Sequence, residues 1–166
     1  THTVASGHAY CTIDEMARGA KRKRLKGLVI TDHGPAMPGA THPYFFGNMR
    51  ILPDFIHGVR VYKGVESNIT GLDGSIDLEP YILARLDFVM AGFHEICFAS
   101  RDRAENTCAM IAAIENPYVD AISHPGNGSF PIDAEAVVLA AARHGKALEI
   151  NDSSFRIRRG SAENCE

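Results

Sequence analysis

Imidazole and carboxylate side chains recur at one kind of place in this sequence, just after a short apolar run. Four runs end in this way: 27–30 before Asp32 and His33, 59–65 before Glu66, 88–93 before His94, and 119–123 before His124. One histidine after an apolar run is usually structural, but chance would have to repeat this placement four times. The pattern therefore indicates side chains that coordinate metal ions.

Two more histidines, His2 and His8, flank a loop of small residues that lets both imidazoles turn toward one centre. With the strand-end residues they give six candidate ligands: His2, His8, His33, Glu66, His94 and His124. Five imidazoles suit zinc, manganese or iron better than calcium or magnesium alone. A carboxylate such as Glu66 can bridge two ions, and six ligands exceed what one tetrahedral ion uses, so we expect a cluster.

The apolar runs are predicted to be buried parallel strands, whose carboxyl ends carry the chemistry in α/β proteins. Thr12 and Glu15 form a capping box that starts a helix running to about Arg24 or Leu25. Since Arg24 stands where glycine would be comfortable, this helix end is either not left-handed or slightly strained.

Further elements are predicted along the rest of the chain: a helix over 107–114 stopped by Asn116-Pro117, a helix from Asp133 to Gly145, and a strand over 147–151. Strands that alternate with helices imply a parallel sheet. Because candidate ligands recur at one end of the strands, we expect a barrel rather than an open sheet.

The segment 34–58 is rich in proline, glycine and aromatic residues and is too long for a plain connector. We predict a short helix around Met49 to Phe55, with the remainder covering the mouth of the site. His42 and Arg50 are candidates to contact a substrate anion; the alternative is a loop packed by its own aromatics. Further on, Asp73-Gly74 predicts a turn between two short strands.

The bulk properties limit the class of protein. With 166 residues, 45% of them apolar, the chain can bury a core and fits one domain or part of one. No window approaches the roughly 18 apolar residues that a membrane helix needs, and no basic-then-apolar leader is evident. Four widely spaced cysteines, Cys11, Cys97, Cys108 and Cys165, favour reduced thiols in a cytoplasmic protein.

A formal charge of −3 argues against a surface that binds nucleic acid. The exception is the basic run Lys21-Arg22-Lys23-Arg24, at the end of the first predicted helix. We interpret this run as a solvated face that complements the helix dipole. The composition therefore favours neither nucleic acid nor a membrane as a partner.

Seven segments of the sequence resemble, in the right order, those of the PHP (polymerase and histidinol phosphatase) superfamily and especially its YcdX-like phosphatase group. The segments are 1–6, 30–35, 48–50, 64–68, 91–95, 122–127 and 148–151. The resemblance implies a distorted (βα)7 TIM-like barrel with a trinuclear metal site and phosphoester hydrolysis. The ions it implies are zinc, with manganese, iron or magnesium as alternatives.

The resemblance also implies a role for each candidate ligand. Glu66, His94 and His124 would bind one ion, His2 would join Glu66 at a second, and His8 with His33 would bind a third. The family pattern opens with His-x-His, of which this sequence shows only His2, and closes with Asp-x-His, which it lacks. We therefore expect 1–166 to be one partial PHP domain without its first strand and last βα units; a truncated relative with a weakened cluster is the alternative.

The implied mechanism is attack of a metal-activated water on a small-molecule phosphomonoester, without a side-chain nucleophile. Bound ions lower the pKa of water from about 15.7 toward 7. Ser123, beside His124, is expected on the opposite strand face. Arg50, His42 and Asn127 are the candidate substrate contacts. The alternatives are a phosphodiesterase or exonuclease, for which a channel of interleaved basic and aromatic residues is not evident, and a non-catalytic, metal-stabilised module.

Overall fold

Strands and helices alternate along the chain, as the sequence predicts. The computed structural model describes residues 1–151 and has an α/β fold with a mostly parallel sheet of six strands. The strands are β1 (Gly27–Ile30), β2 (Phe55–Ile56), β3 (Val59–Asn68), β4 (Phe88–Gly92), β5 (Ala121–Ile122) and β6 (Ala147–Leu148). The helices are α1 (Ile13–Arg22), α2 (Pro43–Asn48), α3 (Pro80–Leu83), α4 (Arg103–Glu115) and α5 (Ala134–His144). None of these helices is both long and apolar enough to cross a membrane.

The chain forms two compact units. The first contains Thr1–Ser67 and Leu78–Val89, and the second contains Asn68–Asp77 and the described residues from Met90 onward. In the first unit β1 pairs in parallel with β3, and β2 pairs with β3 antiparallel. In the second unit β5 pairs in parallel with both β4 and β6. The parallel pairing agrees with the predicted class, while the closed (βα)7 barrel and the single domain over 1–166 stay predictions.

Each unit has its own apolar core beneath its strands. In the first unit Ile30, Val61 and Val65 are at most 1% exposed. In the second unit Phe93 stacks on the buried Phe130 with ring centroids 5.0 Å apart. Burial of each such side chain contributes roughly 1.5–3 kcal/mol. These cores fix the strands from which the candidate ligands project.

The predicted capping box of α1 is confirmed. Thr12 Oγ1 accepts the Glu15 N–H at 3.2 Å, and the Glu15 carboxylate accepts the Thr12 N–H at 2.8 Å. The backbone hydrogen bond from Thr12 also lowers the pKa of Glu15. After α1, Arg24 has φ of 58°, so the strained, left-handed alternative is the one the chain adopts. The basic run 21–24 is exposed, as predicted.

The helix predicted around Met49 to Phe55 is wrong. The helix in this segment is α2, which begins at Pro43 and passes into a 3-10 turn over Met49–Ile51. His42 caps α2 by accepting the Tyr44 N–H at 3.1 Å, and Pro43 is at the first helical position. Leu52 precedes a proline and is extended, with ψ of 136°, so the helix cannot continue to Phe55.

Glu66 was predicted to follow β3 but lies inside it. The strand continues to Asn68 because the segment after β1 extends the parallel pairing. The Glu66 N–H donates to the Asp32 carbonyl at 3.0 Å, and the Gly34 N–H donates to the Glu66 carbonyl at 2.9 Å. The ladder thus brings Glu66 beside His33.

Other predicted elements change in length. The strand predicted over 147–151 is only Ala147–Leu148, and α4 begins at Arg103, earlier than predicted, because Asp102 caps it by accepting the Glu105 N–H. The Asp73-Gly74 turn is confirmed, but the two strands predicted around it reduce to one bridge between Ile69 and Ile76. The end of α4 before Asn116-Pro117 and the capping of α5 by Asp133, with Gly145 in a left-handed conformation, are confirmed.

Candidate metal centre

Asp32 organises the first eight residues around the end of β1. It is completely buried, and its carboxylate accepts the Thr3 N–H at 2.5 Å, the Thr3 hydroxyl at 2.7 Å and the Ser6 hydroxyl at 2.6 Å. The Thr31 N–H also donates to the Thr1 carbonyl, which aligns the residue before His2 with β1. Asp32 was predicted as a coordinating side chain; the structure gives its oxygens the separate role of holding this loop.

The Ser6 hydroxyl determines which nitrogen of the His2 ring carries the proton. Its single hydrogen goes to Asp32, and its oxygen accepts the His33 N–H at 3.1 Å. His2 Nδ1 lies 3.1 Å from the same oxygen, which can only accept there. His2 Nδ1 must therefore carry a proton, and the lone pair of the neutral ring is on Nε2.

The His8 ring is held in the same form by the backbone. Its Nδ1 lies 3.2 Å from the carbonyl oxygen of Ser6, which accepts a hydrogen bond and cannot donate one. The lone pair of neutral His8 is again on Nε2. Metal-binding histidines commonly donate their other ring N–H to a carbonyl or to another acceptor, because this fixes the tautomer and the orientation of the ring.

Three imidazoles and one carboxylate come together in the first unit; we call His2, His8, His33 and Glu66 the imidazole cluster. The ring centroids of the three histidines lie 4.5 to 5.0 Å apart, and one ring nitrogen of each lies within 4.8 Å of the others. Glu66 Oε2 lies 3.1 Å from His2 Nε2 and 3.9 Å from His33 Nδ1. His33 and Glu66 are buried, whereas His8 is exposed.

The contact between His2 and Glu66 tests whether a cation fits this cluster. The preceding hydrogen bonds leave the lone pair of neutral His2 on the nitrogen that faces a carboxylate oxygen. Two electron-rich atoms at 3.1 Å repel unless a proton or another cation lies beside both of them. Nitrogen and oxygen donors at such spacing suit zinc and related ions. The residues present therefore fit a metal ion.

The second unit has a histidine pair, His94 and His124. Their Nε2 atoms are 3.2 Å apart, and their rings are nearly perpendicular, at 84°. One Nε2 must carry a proton toward the other, or both lone pairs must face a shared cation. His94 follows β4 and His124 follows β5, as predicted, and these strands are parallel neighbours.

The backbone beside the histidine pair is strained and tightly packed. His124 has φ of 33°, which is rare for a side chain other than glycine, and its N–H donates to the Glu149 carboxylate at 2.8 Å. A Cβ on Gly92 would collide with Ser123 Oγ and lie 3.3 Å from His124 Cε1. Glycine at this position therefore lets β4 pack closely against Ser123, the residue before His124.

The three predicted substrate contacts have different surroundings. His42 and Arg50 are exposed and line one cavity of the first unit, together with Arg85. Asn127 is buried after His124, where its side chain accepts the Ser129 N–H at 3.2 Å and its backbone N–H donates to the His124 carbonyl. The structure thus gives Asn127 a role in the turn; its contact with substrate stays a prediction.

Little in the sequence indicated the residues that support the candidate ligands. Thr3 and Ser6 are small hydroxyl residues between two histidines, and Glu149 ends a short apolar run. All three lie in segments that resemble the PHP family, and the sequence assigned them no role. Their partners are 25 to 29 residues away along the chain, so only the folded chain reveals them.

No model of a protein family matches this chain. Curated relatives match nearly all of it. A protein of Acetivibrio thermocellus named as a probable phosphatase is 52% identical over 166 residues, which is all of this chain and 69% of the relative. Probable phosphatases of Caldanaerobacter subterraneus subsp. tengcongensis and Shewanella oneidensis are 55% and 52% identical, each over 99% of this chain and 66% of the relative. The chain spans about two thirds of their length.

Proposed function

This chain belongs to the family of the probable phosphatases that it matches, and we propose that it is a metal-dependent phosphatase of the PHP type. Its proposed substrates are small-molecule phosphomonoesters. The observation that carries metal dependence is the grouping of three imidazoles with the Glu66 carboxylate, in which His2 Nε2 lies 3.1 Å from Glu66 Oε2 and one nitrogen of each ring lies within 4.8 Å of the others. Zinc suits these donors best, with manganese, iron or magnesium as alternatives.

The six candidate ligands keep the roles that the sequence resemblance implies, as proposals. His8 and His33 would hold one ion, His2 and Glu66 a second, and Glu66 with the histidine pair a third. Ions bound by these residues would supply an activated water and would neutralise charge on the phosphoryl group. The fixed tautomers of His2 and His8 keep their Nε2 lone pairs available without prior rearrangement.

The chain's own residues support hydrolysis without a covalent intermediate on the protein. Ser123 is the hydroxyl nearest in sequence to His124, but it is 2% exposed and lies 3.4 Å from the Ala91 carbonyl, to which it donates. A nucleophile must reach the substrate, so Ser123 is not one. The burial of Asp32 likewise reserves that carboxylate for the loop that carries His2 and His8.

The test combines metal analysis with two substrates. The protein, loaded with zinc or manganese, should hydrolyse p-nitrophenyl phosphate faster than bis(p-nitrophenyl) phosphate, and a chelator should abolish the activity. His33→Ala and Glu66→Ala should each lose bound metal. The matched control is His144→Ala, because His144 ends α5 and lies 3.8 Å from Glu115. Equal metal content in the three variants, or turnover that survives metal removal, would overturn the proposal.

The same experiment separates the two alternatives. Preference for the diester would favour a phosphodiesterase, and bound metal without turnover would favour a metal-stabilised module.

A cytoplasmic location also stays a proposal. In its favour, Cys11, Cys97 and Cys108 are free thiols, and burial raises the pKa of Cys97 to about 11, so this thiol is unreactive. Cys165 lies outside the described residues.

A further inference from the structure

A cavity of about 280 Å³ in the first unit contains none of the candidate metal ligands. We call it the arginine cavity. Its walls come from α2, from the 3-10 turn that follows α2, and from α3, which packs against α2. Arg50 lines the cavity from the 3-10 turn, and Arg85 lines it from the turn just after α3.

The two arginines of this cavity are exposed and have no charged partner among its lining residues. Neither guanidinium forms an ion pair or a side-chain hydrogen bond within residues 1–151, and the lining contains no carboxylate. Each guanidinium offers five N–H donors in a planar fork. An anion bound in this cavity is attracted by both charges and can accept hydrogen bonds from both groups.

His42 adds a third donor to the same cavity. Its Nδ1 accepts the Tyr44 N–H at 3.1 Å, so the neutral ring carries its proton on Nε2. The rings of Tyr44 and Tyr81 also line the cavity and are 74% and 63% exposed, which leaves aromatic faces open to a ligand. Donors and open rings thus occur together at one place.

An apolar cavity of about 320 Å³ adjoins the first one. The two cavities share His42, Tyr44 and Asn48, and the second is lined mostly by apolar side chains: Ile13, Phe45, Met49, Ile51 and Leu52. A ligand held by its anionic group at Arg50 and Arg85 therefore has space for an apolar body beside Tyr44.

We infer that the arginine cavity binds a small molecule that carries a phosphate-type oxyanion next to an aromatic ring. Arg50, Arg85 and His42 Nε2 donate to the oxyanion, because three donor groups match the three oxygens of a phosphoryl or phosphonyl group. The ring packs against Tyr44 or Tyr81. Arg50 and His42 are also predicted substrate contacts, so this inference rests on the proposed function and deepens it: it adds Arg85 and the tyrosine rings to the site, and no candidate metal ligand takes part.

Calorimetric titration of the metal-free protein with phenylphosphonate tests this site, because chelation removes any competing metal site and the phosphonate resists hydrolysis. Arg50→Gln and Arg85→Gln should each weaken binding by about 10- to 100-fold, the loss of one charge-assisted hydrogen-bonding group. Arg143→Gln, which removes an exposed arginine near the end of α5, should leave the affinity unchanged. Circular dichroism checks folding; if Arg50→Gln does not fold, Arg85→Gln decides.

Two results would overturn the inference. The first is phenylphosphonate binding in both cavity variants that equals binding in the parent and in Arg143→Gln. The second is equal affinity for methylphosphonate and phenylphosphonate, which would exclude a role for the aromatic faces. Because the readout needs neither metal nor turnover, its failure is distinct from failure of the phosphatase proposal.

Discussion

The imidazole cluster of the first unit and the histidine pair of the second are built in different ways. His2 and His8 are carried by a loop without strand structure. Buried hydrogen bonds to Asp32 hold the loop, and a partly buried contact with the Ser6 carbonyl orients the His8 ring. His94 and His124 instead follow two adjacent parallel strands. Their spacing comes from the sheet itself and from the close approach that Gly92 allows.

This difference determines what each region is sensitive to. The imidazole cluster depends on a few polar atoms whose loss leaves buried donors without acceptors. The histidine pair depends on backbone packing, so changes of volume should matter more there than changes of polarity. Replacements of single residues can break or sharpen this contrast.

The largest effect is expected for Asp32→Ala. The change leaves the buried Thr3 and Ser6 donors without their acceptor, at about 1–3 kcal/mol for each group, so we expect about 4 kcal/mol less free energy of unfolding. Urea denaturation measures it. Asp54→Ala is the control, because Asp54 is an exposed carboxylate paired with Lys63. A loss no larger than that of the control would show that Asp32 does not organise the loop.

Gly92→Ala should lower the free energy of unfolding by about 2 kcal/mol, since the new methyl group collides with Ser123 Oγ in a buried region. Adding Ser123→Ala removes the colliding atom and should restore most of the stability, which a double-mutant cycle measures. Gly47→Ala is the matched control, because nothing lies within 4 Å of a Cβ there. Absence of rescue would mean that the collision is not the cause.

Ser6→Ala should weaken metal binding by the imidazole cluster about tenfold, as is typical when a partner that orients a ligand is lost. Calorimetric titration with the metal ion measures this affinity. The control is Ser75→Ala, which removes an exposed hydroxyl that donates to Asp73, away from the candidate ligands. If both variants bind metal like the parent protein, the tautomer argument for His2 is wrong.

The smallest effect concerns Asp14, an exposed carboxylate of the first unit. Its hydrogen bond with His57 lowers its pKa below the usual 3.8. A lowered folded-state pKa gives stability that is present above the unfolded-state pKa and is lost as pH falls through the folded-state value. Asp14→Asn should therefore lower the urea midpoint slightly at pH 6, and the difference from the parent protein should shrink as the pH falls through the folded-state pKa of Asp14. A loss of stability that does not change with pH would contradict this origin.

Much of the framework could be predicted from local sequence. The capping box at Thr12, the cap at Asp133 and the stop at Asn116-Pro117 act over a few residues, so the sequence shows them directly. The helix predicted around Met49 to Phe55, within the segment 34–58, was wrong. His42 and Pro43 start the helix earlier, and Leu52-Pro53 prevents it from continuing. These signals compete over one short segment, and their balance is hard to judge from sequence alone.

By itself, the sequence determined which residues are candidates to bind metal and that His33, His94 and His124 follow apolar strands, because apolar runs and residue types are local properties. The tertiary structure decided how they are held. Asp32 binds Thr3 and Ser6 across more than 25 residues, β3 extends past Glu66 through pairing with the segment after β1, and His124 adopts a strained backbone that Glu149 supports. Such contacts join distant parts of the chain, so they arise only when the strands pair and pack.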